Sequence, residues 1–401
     1  MKQIFIRFCF YRVRFFLALA ACVFPMIISS CFGSCGVYPG AEGALENTSL
    51  SIATWNMQAL FDGKDDGWEY EEYRAGSGWS EEKYNARLNH IAEAIKGMGE
   101  NSPDIIALIE LENKNILEKL GSEYLAQEAY KYYFFAGNTG YSLGIGILSK
   151  YPFSKATAHS INVDGEIIPR PITEVEFSPK EENIILFACH WKSKLGGDEK
   201  TEALRREAAR LILRRQKEIR QENPKTPILV LGDLNENYDE FYRRSGQVIC
   251  ALMPDDPEAA RIAGYLLLET DGESSPKENS DVQSVKESDE QDFLIISEEK
   301  PPVSSFFVNC TGVFYSPWCS ELKNGSYFYS GGWETIDHFL LNEAFFNTEG
   351  WQFKDCFVMD TEPFVNSKGE PNLYNARTGS GLSDHLPLLL RLYKAKKIPP
   401  T

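Results

Sequence analysis

Apolar residues along this chain gather in short runs broken by polar turns, with two longer stretches of helical period between them. Residues 50–56, 103–110, 143–149, 172–177, 183–190, 227–231 and 334–341, and a final run around 386–392, read as strands. From Ser80 onward Tyr84, Leu88, Ile91, Ala92, Ile95 and Met98 recur on one helical face, and Gly97 and Gly99 mark its end. Residues 117–130 are also expected to be helical. Residues 198–222 predict a long charged helix with Leu204, Ala208, Leu211 and Ile212 as its apolar stripe and its Arg and Lys residues as a solvated face. Hairpin-like spacings mixed with helical connections predict two mixed β-sheets packed together with helices outside, an α/β sandwich.

The ends and one internal stretch depart from this pattern. Residues 1–30 carry Lys2, Arg7, Arg12 and Arg14 ahead of an apolar run too short and too Pro-interrupted for a comfortable membrane span. Ser29-Ser30-Cys31 follows, so the segment reads as a lipoprotein-type signal peptide with Cys31 acylated. Leu19-Ala-Ala-Cys22 is a rival acylation site, and a secretory signal or anchor without lipid is the alternative. On this reading residues 31–49 are a tether, 50–394 the folded domain, and the protein sits outside the cytoplasm, lipid-anchored to a bacterial membrane. Residues 269–305, rich in Ser, Glu, Asp, Lys and Pro, read as a flexible acidic insertion, with the apolar island 293–296 as the one part suited to docking.

Charge and cysteine usage narrow the function classes. The 401-residue chain has a net charge of −17, and its first thirty residues hold four positive charges and no negative ones, so the remainder is more acidic still. Such a surface argues against broad non-specific binding to nucleic acid or anionic lipid, but it admits a phosphate substrate where a cation and local Arg or Lys screen the site. The absence of any C-x-x-C pair argues against a structural zinc site. Cys189 lies within an apolar run and reads as buried. Cys310 and Cys319 flank a short aromatic loop that oxidation would close, although the odd number of cysteines leaves the pairing open.

Candidate chemistry collects where strands end. Asp233 and Asn235 follow the apolar run ending at Leu231 and, two residues apart, share one side of an extended backbone. Asn56, Glu110, His190, Asp337, Asp384 and His385 stand at other strand ends or adjoining turns. Glu110 and Asp384 supply oxygen ligands suited to Mg²⁺, which takes one or two carboxylates together with water and substrate phosphate. Asp233 suits activation of a water, and Asn235 donates hydrogen bonds to an anionic oxygen. His190 and His385 suit donation to non-bridging phosphoryl oxygens. Asp337 would orient His385 and keep it protonated. His90, His159 and His338 read as structural.

The order Thr54-Trp-Asn56, Ile109-Glu110, His190, Gly232-Asp-Leu-Asn235, Ile336-Asp337 and Ser383-Asp-His385 resembles the endonuclease/exonuclease/phosphatase superfamily over residues 50–394, the acidic insertion excluded. The resemblance implies a four-layered α/β/β/α sandwich and a phosphoesterase using Mg²⁺ or Mn²⁺. It also implies that Asn56 joins Glu110 and Asp384 at the metal, that Asn235 binds phosphate, and that Arg170 contacts substrate phosphate. The likeness is best to bacterial exported nuclease-like proteins, on Leu60-Phe61-Asp62, His190-Trp-Lys-Ser193 with Gly196-Gly197, and Gly325-Ser-Tyr with Trp333. Lys192 and Lys194 would then face the scissile backbone. Tyr327, Tyr329 and Trp333 either stack on bases or pack their own hairpin. The leading expectation is an extracytoplasmic nuclease acting on DNA or RNA, with nucleic acid as substrate and no obligate protein partner evident. The alternatives are a phosphatase or phosphodiesterase acting on sphingomyelin or inositol phosphates, for which residues 313–318 offer the one apolar loop, and a non-catalytic surface-binding lipoprotein.

Overall fold

Alternating and fully apolar strands build two sheets whose inner faces share one core. The computed structural model describes residues 49–138, 140–163, 166–168, 170–245, 250–253, 295–297 and 312–395. The first sheet runs in the order β16 (Trp351–Val358), β17 (Leu388–Lys394), β1 (Ser49–Leu60), β2 (Ile105–Leu111), β4 (Gly144–Ser149), β3 (Tyr132–Ala136). The second runs β11 (Ile295–Ser297), β12 (Val313–Tyr315), β15 (Asp337–Leu341), β10 (Ile228–Asp233), β9 (Ile184–His190), β8 (Ile172–Phe177), β5 (Phe153–His159). Two small hairpins stand apart, β6–β7 (Asn162–Val163, Glu166–Ile167) and β13–β14 (Tyr327–Tyr329, Gly332–Glu334). Both large sheets are mixed: β1–β2, β9–β10 and β11–β12 are parallel pairs, and their other neighbours are antiparallel.

Three apolar layers follow from this arrangement. Ile52, Ile109, Ile147, Leu186, Leu229, Phe339 and Leu390 meet between the sheets, all fully buried. Helix α1 (Glu81–Lys96) and the short α2 (Lys114–Lys119) cover the outer face of the first sheet through Leu88, Ile91, Ile95, Ile116 and Leu117. Helix α3 (Asp198–Glu222) and the single turn α4 (Glu240–Arg243) cover the second through Ala208, Ala209, Ile212, Leu213 and Phe241. The architecture is therefore an α/β/β/α sandwich. At about 1.5–3 kcal/mol for each fully buried aliphatic or aromatic side chain, the two sheets form a rigid block whose rim can hold a site.

Several local expectations differ from what forms. The helix expected over 117–130 begins earlier, at Lys114, because Asn113 caps it by accepting from the amides of Asn115 and Ile116. It widens into a π turn at Leu120–Tyr124 and ends there. Strands β3, β5 and β16 were not anticipated; the exposed residues of β3 and β5 give them no clean apolar period. On α3 the solvated-face reading fails at Arg205, which is fully buried. The residues of 269–305 lie outside the described set except for Ile295–Ser297, which add a parallel edge strand beside β12. Residues 1–48, with Cys22 and Cys31, and Cys310 lie outside it as well.

Candidate active site

Register places the polar strand ends side by side. Asp233, the last residue of β10, pairs with His190 of β9 on one flank and with Asp337 of β15 on the other. Across the sandwich β1 and β2 bring Asn56 and Glu110 to the same rim, and the turn before β17 adds Asp384 and His385. Asn56 Nδ2 donates to Asp233 Oδ2 at 3.0 Å, and His190 Nε2 lies 3.5 Å from Glu110 Oε1 and 3.6 Å from Asp233 Oδ2. Arg170 Nη2 reaches to 4.0 Å from Glu110 Oε1. Asn235 turns back through a left-handed φ of 52°, its amide N–H donating to Asp233 Oδ1 and its Nδ2 to the Trp191 carbonyl.

Local irregularities aim these side chains. The β1–β2 register shifts between Asn56 and Leu60, and the β2–β4 register shifts between Ile109 and Leu111, so Glu110 is the extra residue of a bulge. Its φ of 68° is costly for a non-glycine residue and re-aims its carboxylate, where Oε2 accepts from the Ala59 amide at 2.8 Å. Gln58 and Ala59 also have positive φ. Their carbonyls, with that of Met57, accept from the buried guanidinium of Arg87, which lies 3.7 Å over the Tyr374 ring. Arg87 was missed in the sequence; its only signal is its place among Tyr84, Leu88 and Ile91 on the apolar face of α1. At Gly232, φ is +120° and a Cβ would lie 2.1 Å from the Cys189 carbonyl oxygen, so only glycine admits the close approach of β10 to β9.

A second buried cation ties the loops after β9 and β10 from behind. Arg205 of α3 donates to Glu236, to Thr201 Oγ1 (2.7 Å), to the Lys192 carbonyl (3.1 Å), to Asp198 Oδ1 (3.0 Å) and to Glu202 Oε2 (2.8 Å). Glu236 follows Asn235 and Lys192 follows Trp191, so one side chain joins the loops after β9 and β10 to the helix. Lys194, expected to face the substrate backbone, instead donates to Glu240. Lys192 Nζ donates to the Ser193 and Leu195 carbonyls, and burial followed by the charges of Arg170 and Arg205 lowers its pKa. His338 faces away from the cleft, its Nε2 at 2.8 Å from the Glu236 carbonyl.

Electrostatics divide the two histidines. Burial, with the charges of Arg170, His385 and Lys192 adding to it, lowers the pKa of His190 well below the usual value, so it is neutral at pH 7. Burial acts on His385 in the same sense, but Asp337 outweighs it and lifts His385 to about 10. Asp337 Oδ2 lies 2.7 Å from His385 Nδ1 and also accepts from Ser326 Oγ at 2.6 Å. The His385 backbone is fixed as well, its carbonyl accepting from the Trp55 indole N–H and its amide donating to Ser383 Oγ. Burial and the Asp337 charge raise the pKa of Asp233, as suits a base.

The donor set has room for a cation. Asp384 Oδ1 is buried with no hydrogen-bond partner, and burial raises the pKa of Asp384, with the Glu110 charge adding to it. Two carboxylates facing one space with an oxygen unmet is an arrangement a divalent cation relieves. Asp233, Asp337 and His385 also bring ligand atoms within 4.8 Å of one another. There Asp337 Oδ2 is taken by Ser326 and His385 while its Oδ1 is buried without a partner, and the charged imidazole of His385 opposes a cation.

A model of the Endonuclease/Exonuclease/phosphatase family matches residues 51–259, slightly more than half of the chain. No curated protein matches it in sequence. Among solved structures it is similar to truncated Caenorhabditis elegans TDP2 at 14% identity, covering 86% of this chain and 98% of that one, with a TM-score of 0.46. An endonuclease/exonuclease/phosphatase family protein from Bacteroides thetaiotaomicron gives 14%, 88%, 100% and 0.46. D. rerio TDP2 complexed with single strand DNA product gives 14%, 86%, 99% and 0.45. Likeness at that level carries nothing about substrate. With the family model spanning both sheets and six polar strand ends converging on one rim, the chain belongs to the endonuclease/exonuclease/phosphatase family of phosphoester hydrolases.

Proposed function

We propose that the protein is a metal-dependent phosphodiesterase, an extracytoplasmic nuclease that hydrolyses DNA or RNA by in-line attack of water. The observation that carries this is the register that sets Asp233 between His190 and Asp337, with Asn56 bonded to Asp233 and His385 Nδ1 2.7 Å from Asp337 Oδ2. The pKa of His190 is lowered and those of His385 and Asp233 are raised, in keeping with it. Asp233 accepts a proton from the attacking water, and Asn56 Nδ2 fixes its carboxylate. Asn235 and His190 donate to the phosphoryl oxygens, and the His385 imidazolium, kept charged by Asp337, meets the charge that develops on them. Arg170 points into the cleft and would hold a phosphate oxygen. Glu110 and Asp384, with Asn56 beside them, would hold Mg²⁺ or Mn²⁺, which supplies charge compensation at the phosphoryl and leaving oxygens when bound.

A lipid substrate fits less well. The apolar segment Val313–Trp318 that would enter a membrane is core: Phe314, Tyr315 and Trp318 are buried. A polyanionic inositol phosphate would need more cations than Arg170 and Lys192 supply among the described residues, and Lys194 is tied to Glu240. A purely binding role leaves the buried His–Asp pair without purpose.

Plasmid DNA with Mg²⁺ or Mn²⁺ tests this reading. Nicking should appear, vanish with chelator, and fall by about 10²- to 10⁴-fold in Asp233→Ala; a folded protein that never nicks DNA or RNA refutes it. Export and the lipid anchor belong to the same proposal. Among the described residues no helix is long and apolar enough to cross a membrane; the proposed anchor is acylated Cys31, which lies outside them. Cys31→Ser should move the protein from the membrane to the soluble fraction; an unchanged distribution, with Cys22→Ser releasing it, would place the lipid on Cys22.

A further inference from the structure

We infer that the hairpin β13–β14 carries a stacking subsite for an unpaired nucleobase of the strand being cut. This rests on the nuclease reading. The Tyr327 ring stacks on the His385 imidazole with centroids 4.5 Å apart and planes at 28°. Tyr329 continues the ladder at 6.1 Å from Tyr327, its plane only 10° from parallel, and is 61% exposed. A line of rings therefore runs from the imidazole that meets the phosphate out to solvent, two rings away.

The hairpin does not need the Tyr329 ring for its own packing. Phe328 and Trp333, cross-strand partners on the opposite face, stack edge-on at 5.2 Å, and Trp333 reaches the core under α1. Trp333 therefore packs the hairpin, and Tyr327 and Tyr329 face the cleft side. The turn is rigid: Ser330 and Gly331 both have positive φ, as a two-residue type I′ turn requires. Backbone pairing of Tyr327 with His385, and the Leu386 amide donating to the Ser326 carbonyl at 2.7 Å, lock the hairpin to the catalytic turn.

Charge explains why such a subsite matters. The chain carries −17 overall, and among the described residues near the cleft positive charge comes from Arg170, Lys192 and the His385 imidazolium, so counterion release contributes little affinity. Stacking on an aromatic ring is indifferent to sequence and to that acidity. A base reaches Tyr329 only after leaving its own stack, which favours single strands, ends and gaps over intact duplex.

The test is equilibrium binding in the Asp233→Ala background, so that the strand is not consumed. A labelled single-stranded oligonucleotide is compared with an abasic strand of the same length, for Tyr, Ala and Trp at position 329. The base-bearing strand should bind about 5- to 150-fold tighter per stacked base, with Tyr329→Ala removing most of that advantage and Tyr329→Trp restoring it. Equal binding of the two strands, or an advantage that survives Tyr329→Ala, overturns the subsite. Cleavage of bis(p-nitrophenyl) phosphate by the unmutated chain is measured in parallel. Cleavage without base-dependent binding leaves the nuclease reading and sinks the subsite; base-dependent binding without any diester cleavage refutes the nuclease reading and, with it, a subsite for the strand being cut.

Discussion

Replacing Arg205 by Met removes the guanidinium that joins α3 to the loops after β9 and β10, and its cost can be worked from the contacts. Both Arg205 and Glu236 are wholly buried, and one oxygen of Glu236 already lacks a partner. Burial and the Glu202 charge already push the Glu236 pKa well up against the pull of Arg205. Without Arg205 the carboxyl is therefore left uncompensated in the interior unless it takes a proton, which caps the cost at about 3–5 kcal/mol. Glu236→Leu alone strands the cation less severely, because Glu202 and Asp198 still accept from it; about 2–3 kcal/mol is expected. The double variant Arg205→Met/Glu236→Leu removes both buried charges and should be more stable than the sum of the singles predicts, by about 2 kcal/mol. Recovery is incomplete because Glu202 loses Arg205 in both backgrounds and keeps its ion pair with Arg206 at 3.3 Å. Urea unfolding of the four proteins measures the cycle. Singles that each cost under about 1 kcal/mol, or that add within about 0.5 kcal/mol, would refute the view that this ion pair holds the loops.

Three further outcomes follow from the same geometry. The pH–rate profile should rise through the titration of Asp233, above the range of an ordinary carboxylate, and fall near pH 10 as His385 loses its proton; Asp337→Asn should pull the falling limb to lower pH, and an unmoved limb would exclude His385 as its source. Burial pushes the Glu174 carboxyl up, but hydrogen bonds from His159 and Arg215 outweigh it and hold it down at about 2. That depressed pKa contributes stability present above about pH 4.5 and lost as the pH falls toward 2, so Glu174→Gln should cost about 1.5–3 kcal/mol at pH 7 and progressively less in acid; a pH-independent cost in urea unfolding would contradict it. Gly232→Ala meets the Cys189 carbonyl at a φ suited only to glycine and should cost about 2–6 kcal/mol with loss of activity, and near-native unfolding in urea would show that β10 can shift.

Much of the site was legible because its residues stand where apolar runs stop. His190, Asp233 and Asp337 are neighbours in register; apolar runs end at or just before His190 and Asp233, whereas Asp337 falls inside the expected strand 334–341 and is marked by motif order rather than by a run's end. Glu110 was legible in identity but not in aim, since its orientation depends on a bulge and a left-handed φ that no alternation pattern encodes. Arg87 and Arg205 were hidden for a different reason. A helical period sorts charged residues to the outside, and only partners distant in sequence, the β1 carbonyls for Arg87 and Glu236 for Arg205, bring these two in. The same long-range pairing turned Lys194 away from the cleft. In the fold, the sandwich was readable from the spacing of strands and helices. Strands β3 and β5 were not, because their exposed faces erase the apolar signal that marks the central strands.

The division of labour at the rim is tested most directly by the rate of DNA hydrolysis as a function of Mg²⁺ or Mn²⁺ concentration in the unmutated protein, Glu110→Gln and Asp233→Asn. Glu110→Gln should raise the half-saturating metal concentration by more than about tenfold, since even outer-shell changes at metal sites reach that size. Asp233→Asn should lower the saturating rate by about 10²- to 10⁴-fold while the metal response keeps its midpoint. Hydrolysis that persists in chelator, or a metal response unchanged in Glu110→Gln, would contradict the assignment of Glu110 to the metal and of Asp233 to the water.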